Sequence, residues 1–155
     1  MNFSDILKKK ASDIERPPIL PPGTYTFQVA KVPTFETRTS AKGSWDVIDF
    51  ILQPVEADED VSPEALAEYG SFSPASQLRN TFMFDQNDAA AVDRTLFRMK
   101  QFIIEHLKVD ASADATLSEL LPQTMGLRCK AFVKNEARKD DPETMDARIS
   151  RTAPV

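Results

Sequence analysis

Several stretches of the chain alternate apolar and polar residues with the period of a half-buried strand. The clearest opens at Gly23 (GTYTFQVAKV), where Tyr25, Phe27, Val29 and Lys31 alternate with Thr24, Thr26, Gln28 and Ala30. Aromatic and β-branched residues at period two predict a strand with one buried face, stopped by Pro33. The polar segment TFETRTSAKGS, residues 34–44, contains a glycine and predicts a hairpin loop. A second strand is predicted over 45–53, with Ile48, Phe50 and Leu52 on one face and Trp45, Val47 and Ile51 on the other; Pro54 ends it. LRNTFMF, residues 78–84, alternates again as a third strand. A fourth covers 125–135, with Leu127, Cys129, Ala131 and Val133 opposite Arg128, Lys130, Phe132 and Lys134. A short fifth strand covers 146–152, after a charged loop at 136–145.

The period changes over residues 88–107. Val92, Leu96, Met99, Ile103 and Leu107 recur at helical spacing, one apolar stripe, with Asp88 placed to cap. Ser62-Pro63-Glu64 starts a second helix, over 63–69, and Gly70 stops it. Thr116 and Glu119 have capping-box spacing for a helical turn at 117–121. Before the first strand, residues 1–16 predict a short helix with Ser4 as cap and Phe3, Leu7 and Ile14 on one face. RPPILPP then forms an extended leader, because its prolines cannot propagate a helix. Residues 1–22 are thus an N-terminal arm, and 23–155 one domain.

The resulting fold class is mostly β with helices. The order strand-strand-strand-helix-strand-strand is that of a five-stranded OB-fold barrel, here with a helical insertion between strands two and three. An open α+β sheet with the helix on one face has the same order of elements and is the competing architecture.

Composition narrows the chemistry. A chain of 155 residues with 41% apolar and 28% charged residues has the makeup of one globular domain. No apolar run is long enough to cross a membrane. MNFSDILKKK lacks the apolar core of a secretory signal. The single cysteine, Cys129, excludes an internal disulfide or a Cys-rich zinc site, and points to a reducing, cytosolic setting. There is no glycine-rich phosphate loop. His106 reads as a surface or packing residue, Cys129 as a small buried hydrophobe, and the acidic run over 56–60 as a solvated loop without the spacing of a calcium site. No catalytic residue, metal or cofactor is expected.

The net charge of −5 is segregated: +1 over residues 1–53, −8 over 54–93 and +2 over 94–155. Local basic surfaces can act on an acidic protein. Two of them interleave cations with rings, the combination that single-stranded nucleic acid requires for phosphate tracking and base stacking. The first surrounds the predicted hairpin: Lys31, Phe35, Arg38, Lys42 and Trp45. The second is the polar face of the fourth strand and the loop beyond it: Arg128, Lys130, Phe132, Lys134, Arg138 and Lys139. Arg79 and Arg148 extend the strip. The bland reading of the same residues is that Phe35 and Trp45 pack into the core while the cations keep a hairpin and a strand soluble.

The segments LPPGTYTFQVAKV, ETRTSAKGSWDVIDFIL, NTFMF and GLRCKAFVKNEAR, with the helix between the last two, resemble small phage-encoded single-stranded DNA-binding proteins of the OB-fold class. The similarity spans residues 19–152 and rests on strand patterns and turn residues. It implies a non-catalytic replication and recombination accessory in the cytoplasm of an infected bacterium. Such a protein coats single-stranded DNA and hands it to a polymerase or recombinase. Carried over by position, it points to Lys31, Phe35, Arg38, Lys42 and Trp45, and to Arg128, Lys130, Phe132 and Lys134. Many such proteins end in an acidic tail with a terminal aromatic residue, whereas this chain ends RISRTAPV; the acidic block at 54–68 is the substitute that charge alone suggests.

The expected function is therefore sequence-tolerant binding of single-stranded DNA, with no membrane partner and room for a homo-oligomer. The competing expectation is a protein-interaction or virion structural module that binds no nucleic acid, with Phe3, Leu7 and Ile14 as a docking face.

Overall fold

The alternation that opens at Gly23 becomes strand β1 (Gly23–Val29), in a computed structural model that describes residues 2–155. Tyr25, Phe27 and Val29 are buried, and Thr26 on the other face is buried too. Both faces are covered because β1 is a central strand, paired antiparallel with β3 (Gly43–Ala57) and β5 (Arg128–Ala137).

The segment predicted as a loop is instead a strand, β2 (Thr34–Ser40), hairpin-paired to β3 from Thr34 opposite Asp49 to Ser40 opposite Gly43. Apart from Phe35 its residues are polar, and nearly all are exposed on both faces, so backbone pairing forms it with no help from burial. β3 also runs past Pro54, where the sequence predicts its end. Thr26 faces Glu56 but Phe27 faces Pro54, so Val55 is an extra residue in a bulge. A bulge tolerates a proline because ladder bonds are interrupted there. Pairing of β1 with β3 stops at Val29–Leu52 and that of β2 starts at Thr34–Asp49. β1 and β2 therefore follow one another along the same edge of β3, separated by Ala30–Pro33.

β4 (Leu78–Phe84) takes the other edge of β3, and β6 (Met145–Ala153) pairs with β5. The result is a six-stranded antiparallel sheet, ordered β2-β3-β1-β5-β6 with β4 on β3. The five strands expected from the sequence become six because of β2. The sheet is open: β4 and β6 approach each other but share no ladder.

Helix α1 (Phe3–Leu7) is shorter than the predicted 1–16 helix, and Asn2 rather than Ser4 caps it, in a reciprocal box with Asp5. Met1 lies outside the described residues. The arm is exposed as far as Pro18, after which Leu20 is buried and Tyr25 Oη donates to the Pro21 carbonyl at 2.6 Å. α2 (Pro63–Tyr69) starts at the Ser62 cap and stops at Gly70, as its residues predict. The acidic run before it does more than solvate the insertion. Asp60 accepts bonds from the Thr24 amide (2.9 Å) and hydroxyl (2.8 Å), which hold its carboxyl below the usual range.

α3 (Ala89–Gln101) is capped by Asp88 and continues as one π-helical turn, Phe102–His106. Met99, Phe102, Ile103 and Leu107 close the core against Phe50 and Phe82. Phe50 and Phe102 meet edge to face at 4.9 Å between centroids, a favoured aromatic arrangement. Leu96 is exposed, so only the second half of the predicted stripe reaches the core. His106 Nδ1 lies 2.7 Å from Thr152 Oγ1 and ties the end of the helix to β6. The remaining helix, α4 (Leu117–Leu120), has the predicted Thr116–Glu119 capping box.

Gly23 makes a prediction that concerns the fold alone. Its φ is +140°, and a Cβ would sit 2.5 Å from Cγ2 of the buried Val61. Both the backbone conformation and the contact exclude a side chain. Gly23→Ala is expected to lower stability by at least about 1–3 kcal/mol in urea unfolding; an unchanged midpoint would contradict this account of the β1–insertion junction.

Candidate nucleic-acid interface

The gap between the edges of β4 and β6 is a cleft of about 930 Å³. Five arginines line it: Arg38 from β2, Arg79 from β4, Arg98 from α3, and Arg138 and Arg148 from the β5–β6 hairpin. Four of them are residues the sequence singles out from three separate segments. Arg98 is not, because periodicity assigns its helix to core packing and nothing local relates it to the strands. Residues 18–20 of the leader complete the rim.

Most of the carboxylates beside these cations sit deeper than the cations do; Glu36, which accepts from Arg38 Nε at the surface, is the exception. Asp49 is only 4% exposed. Its Oδ2 lies 2.5 Å from Arg38 Nη2 and 3.7 Å from Arg79 Nη1, while its Oδ1 accepts from Thr81 Oγ1 at 2.5 Å. Asp146 accepts from Arg138 and Arg16, each at 2.8 Å, and Arg148 lies 3.5 Å from Glu136 and 3.9 Å from Asp146. The hydrogen bond from Arg138 holds the Asp146 carboxyl below its usual range, and the same bond raises the guanidinium. By contrast the side chains of Arg79 and Arg148 are 63% and 59% exposed. A guanidinium carries five N–H donors in a flat fork. Carboxylates that hold such groups from one side fix their orientation and leave the outer donors for an incoming oxyanion. This suits planar, bidentate recognition of phosphate.

The residues of the first predicted patch separate into two faces. Trp45 is directly opposite Arg38 in the β2–β3 ladder and shares its face, half-buried. Phe35 is opposite Ile48, whose side chain points to the core, so Phe35 lies on the other face. It is 68% exposed and borders an apolar groove with Val92 and Leu96 of α3. Phe35 and Trp45 are therefore not two rings of one stacking platform. Lys42 is at the hairpin turn and Lys31 in the break between β1 and β2, both exposed.

The second predicted patch forms as one face. Arg128, Lys130, Phe132 and Lys134 alternate outward along β5 while Cys129, Ala131 and Val133 are buried. Much of its charge is matched within the protein: Lys130 is 2.5 Å from Asp58, and Lys134 is 2.6 Å from Glu136, whose carboxyl it lowers. Arg128 donates to the Gln28 side chain at 3.3 Å. The Phe132 ring is covered by the guanidinium of Arg151, 5.1 Å from its centroid, a cation–π contact. Arg151 escapes the sequence reading because the β5–β6 register that brings it opposite Phe132 shifts between Phe132 and Val133. Lys139 lies in the hairpin loop, beside Arg138.

Among the described residues, no group of three or more His, Cys, Asp or Glu side chains is placed to hold a metal ion, and no helix is long and apolar enough to cross a membrane. Burial pushes the Cys129 thiol up to about 12, so the sulfur is held as an unreactive thiol. No protein-family model matches this sequence, and no curated protein matches it.

Proposed function

We propose that the chain binds single-stranded DNA without sequence preference and without catalysis. The observation that carries this reading is the convergence of five guanidinium groups, from four separate elements, on one cleft. Arg38 and Arg79 on one side, and Arg138 and Arg148 on the other, would track the phosphates. Trp45, beside Arg38, would stack a base at one end. Phe132 under Arg151 would extend the surface along β5. Because β1 and β2 follow one another along β3, the strands fill five positions, β4-β3-β1/β2-β5-β6, with α3 between β4 and β5. This order supports an OB-type barrel left open at the β4–β6 seam. The resemblance of residues 19–152 adds support for a phage replication or recombination accessory that passes DNA to a polymerase or recombinase in an infected bacterial cell.

One observation favours the competing reading, a protein-interaction or virion module. The arm exposes Phe3, Ile6 and Leu7 on helix α1, and Ile14 beyond it, and large apolar side chains left in water suit a contact with another protein. Assembly without DNA that is lost on removing residues 2–17 would support it.

Titrating the single tryptophan with oligo(dT) of about 30 nucleotides, longer than an OB-fold site, tests the DNA reading. Quenching by the single strand, absent with duplex and reversed by salt, is expected. Unchanged emission, together with no gel shift at low salt, would refute it.

A further inference from the structure

α3 has a second side that core packing does not use. Arg94 lies three residues before Phe97 and four before Arg98, so these three share one outward face of the helix, with Asp93 and Lys100 on the far side of Phe97. Phe97 is 66% exposed. Among the described residues, no carboxylate lies within ion-pairing distance of Arg94, Arg98 or Lys100. Lys130 and Lys134, in contrast, are each held at under 3 Å by a carboxylate. Arg98 donates to the Thr95 hydroxyl at 3.4 Å. It lines both the arginine cleft and the shallow depression around Phe97, so the two surfaces are continuous.

We infer that a single strand leaving the cleft continues across α3, with one base stacked on Phe97 and the adjoining phosphate held by Arg94. The inference rests on the reading of the cleft as the DNA site and lengthens that site beyond the strands. Its chemistry follows from what surrounds the ring. An exposed phenyl beside two unmatched guanidinium groups, Arg94 and Arg98, with Asp93 as the one carboxylate of the same depression, offers a π-face and phosphate donors together, which is what a nucleotide requires. A protein partner docking here by its apolar side would leave those same cations desolvated and unpaired. Arg98 is the hinge of the path, since it lines both surfaces.

A length series of labelled oligo(dT) on the full chain tests this, with wild type, Phe97→Ala, Arg94→Ala and Arg79→Ala/Arg148→Ala compared. Phe97 and Arg94 are exposed, so the thermal midpoints of their variants should match wild type. On oligonucleotides of about 6 nucleotides, near the short end of known sites, both should bind as wild type. On about 16 nucleotides, Phe97→Ala should bind about tenfold more weakly, the loss of one stacked base. Arg94→Ala should reduce the slope of log K against log salt by about 0.7 at that length. Arg79→Ala/Arg148→Ala should weaken both lengths. If Phe97→Ala and Arg94→Ala bind both lengths as wild type while the cleft variant is impaired, the path over α3 is wrong and the cleft stands. A Phe97→Ala variant that alters self-association but not the length series overturns the path in favour of a protein contact. Failure of wild type to bind either length overturns both readings.

Discussion

Replacing Arg79 and Arg148 together by alanine is expected to weaken oligo(dT) binding about a hundredfold at low salt, since each removes a charge-assisted bond to phosphate and two such bonds contribute roughly 3 kcal/mol or more. The salt dependence should flatten in parallel, by about 1.4 in the slope of log K against log salt for two lost phosphate contacts on a single strand. The fold should tolerate the change. Both side chains are largely exposed, Asp49 keeps Arg38 at 2.5 Å, and Asp146 keeps Arg138 and Arg16. Lys130→Ala is the contrast. Lys130 is a basic residue of the same sheet, already matched by Asp58 at 2.5 Å, and its loss should alter affinity by no more than about threefold. Equal losses from the two variants would show that binding follows total charge and not the cleft.

The second large effect is on stability at high pH. Burial raises the Tyr25 phenol from 10.0 to about 12 and the Cys129 thiol from 9.0 to about 12. Both residues are fully buried, and the phenol also donates to Pro21. A group whose pKa is higher in the folded chain keeps its full contribution below its unfolded value. It loses that contribution as pH rises toward the folded value. The thiol term is therefore lost between pH 9 and about 12 and the phenol term between pH 10 and about 12. The two terms are worth about 4 and about 3 kcal/mol. That is a large part of the roughly 5–15 kcal/mol that holds a domain together, so the protein should unfold cooperatively in this range. Cys129→Ala should move the alkaline midpoint upward in circular dichroism. Thiolate absorbance developing near pH 9 with the fold intact would contradict the burial of Cys129.

The parts of the fold legible in the sequence are those where one face is apolar and the other is not. Tyr25–Phe27–Val29 and Cys129–Ala131–Val133 mark β1 and β5, and the Asp88 cap marks the start of α3, because burial imposes period and capping imposes composition. β2 is not legible: Thr34–Ser40 has no apolar face, and its pairing with β3 is decided by the hairpin. That omission has a consequence for the site. Phe35 and Arg38 differ by three positions, so on a strand they point to opposite faces, whereas on a loop they can be taken as one patch. Arg38, Arg79, Arg138 and Arg148 are legible as candidates for one basic strip, but the cleft they line is not. Arg79 and Arg148 are brought together only by the approach of two strand edges that share no ladder. Arg98 and Arg151 carry no local signal at all. The carboxylates Asp49, Asp58 and Asp146, which orient or neutralise these cations, sit in the sequence as ordinary strand and loop acids.

The most direct test of the central claim is a fluorescence-anisotropy titration of labelled oligo(dT) of about 30 nucleotides, several times the shortest OB-fold site, with the full chain at low and high salt and with duplex of equal length as competitor. Saturable binding at low salt that weakens steeply with added salt and resists the duplex is the predicted result. No binding at low salt, or binding that duplex displaces as well as the single strand does, would contradict the assignment of the arginine cleft to single-stranded DNA.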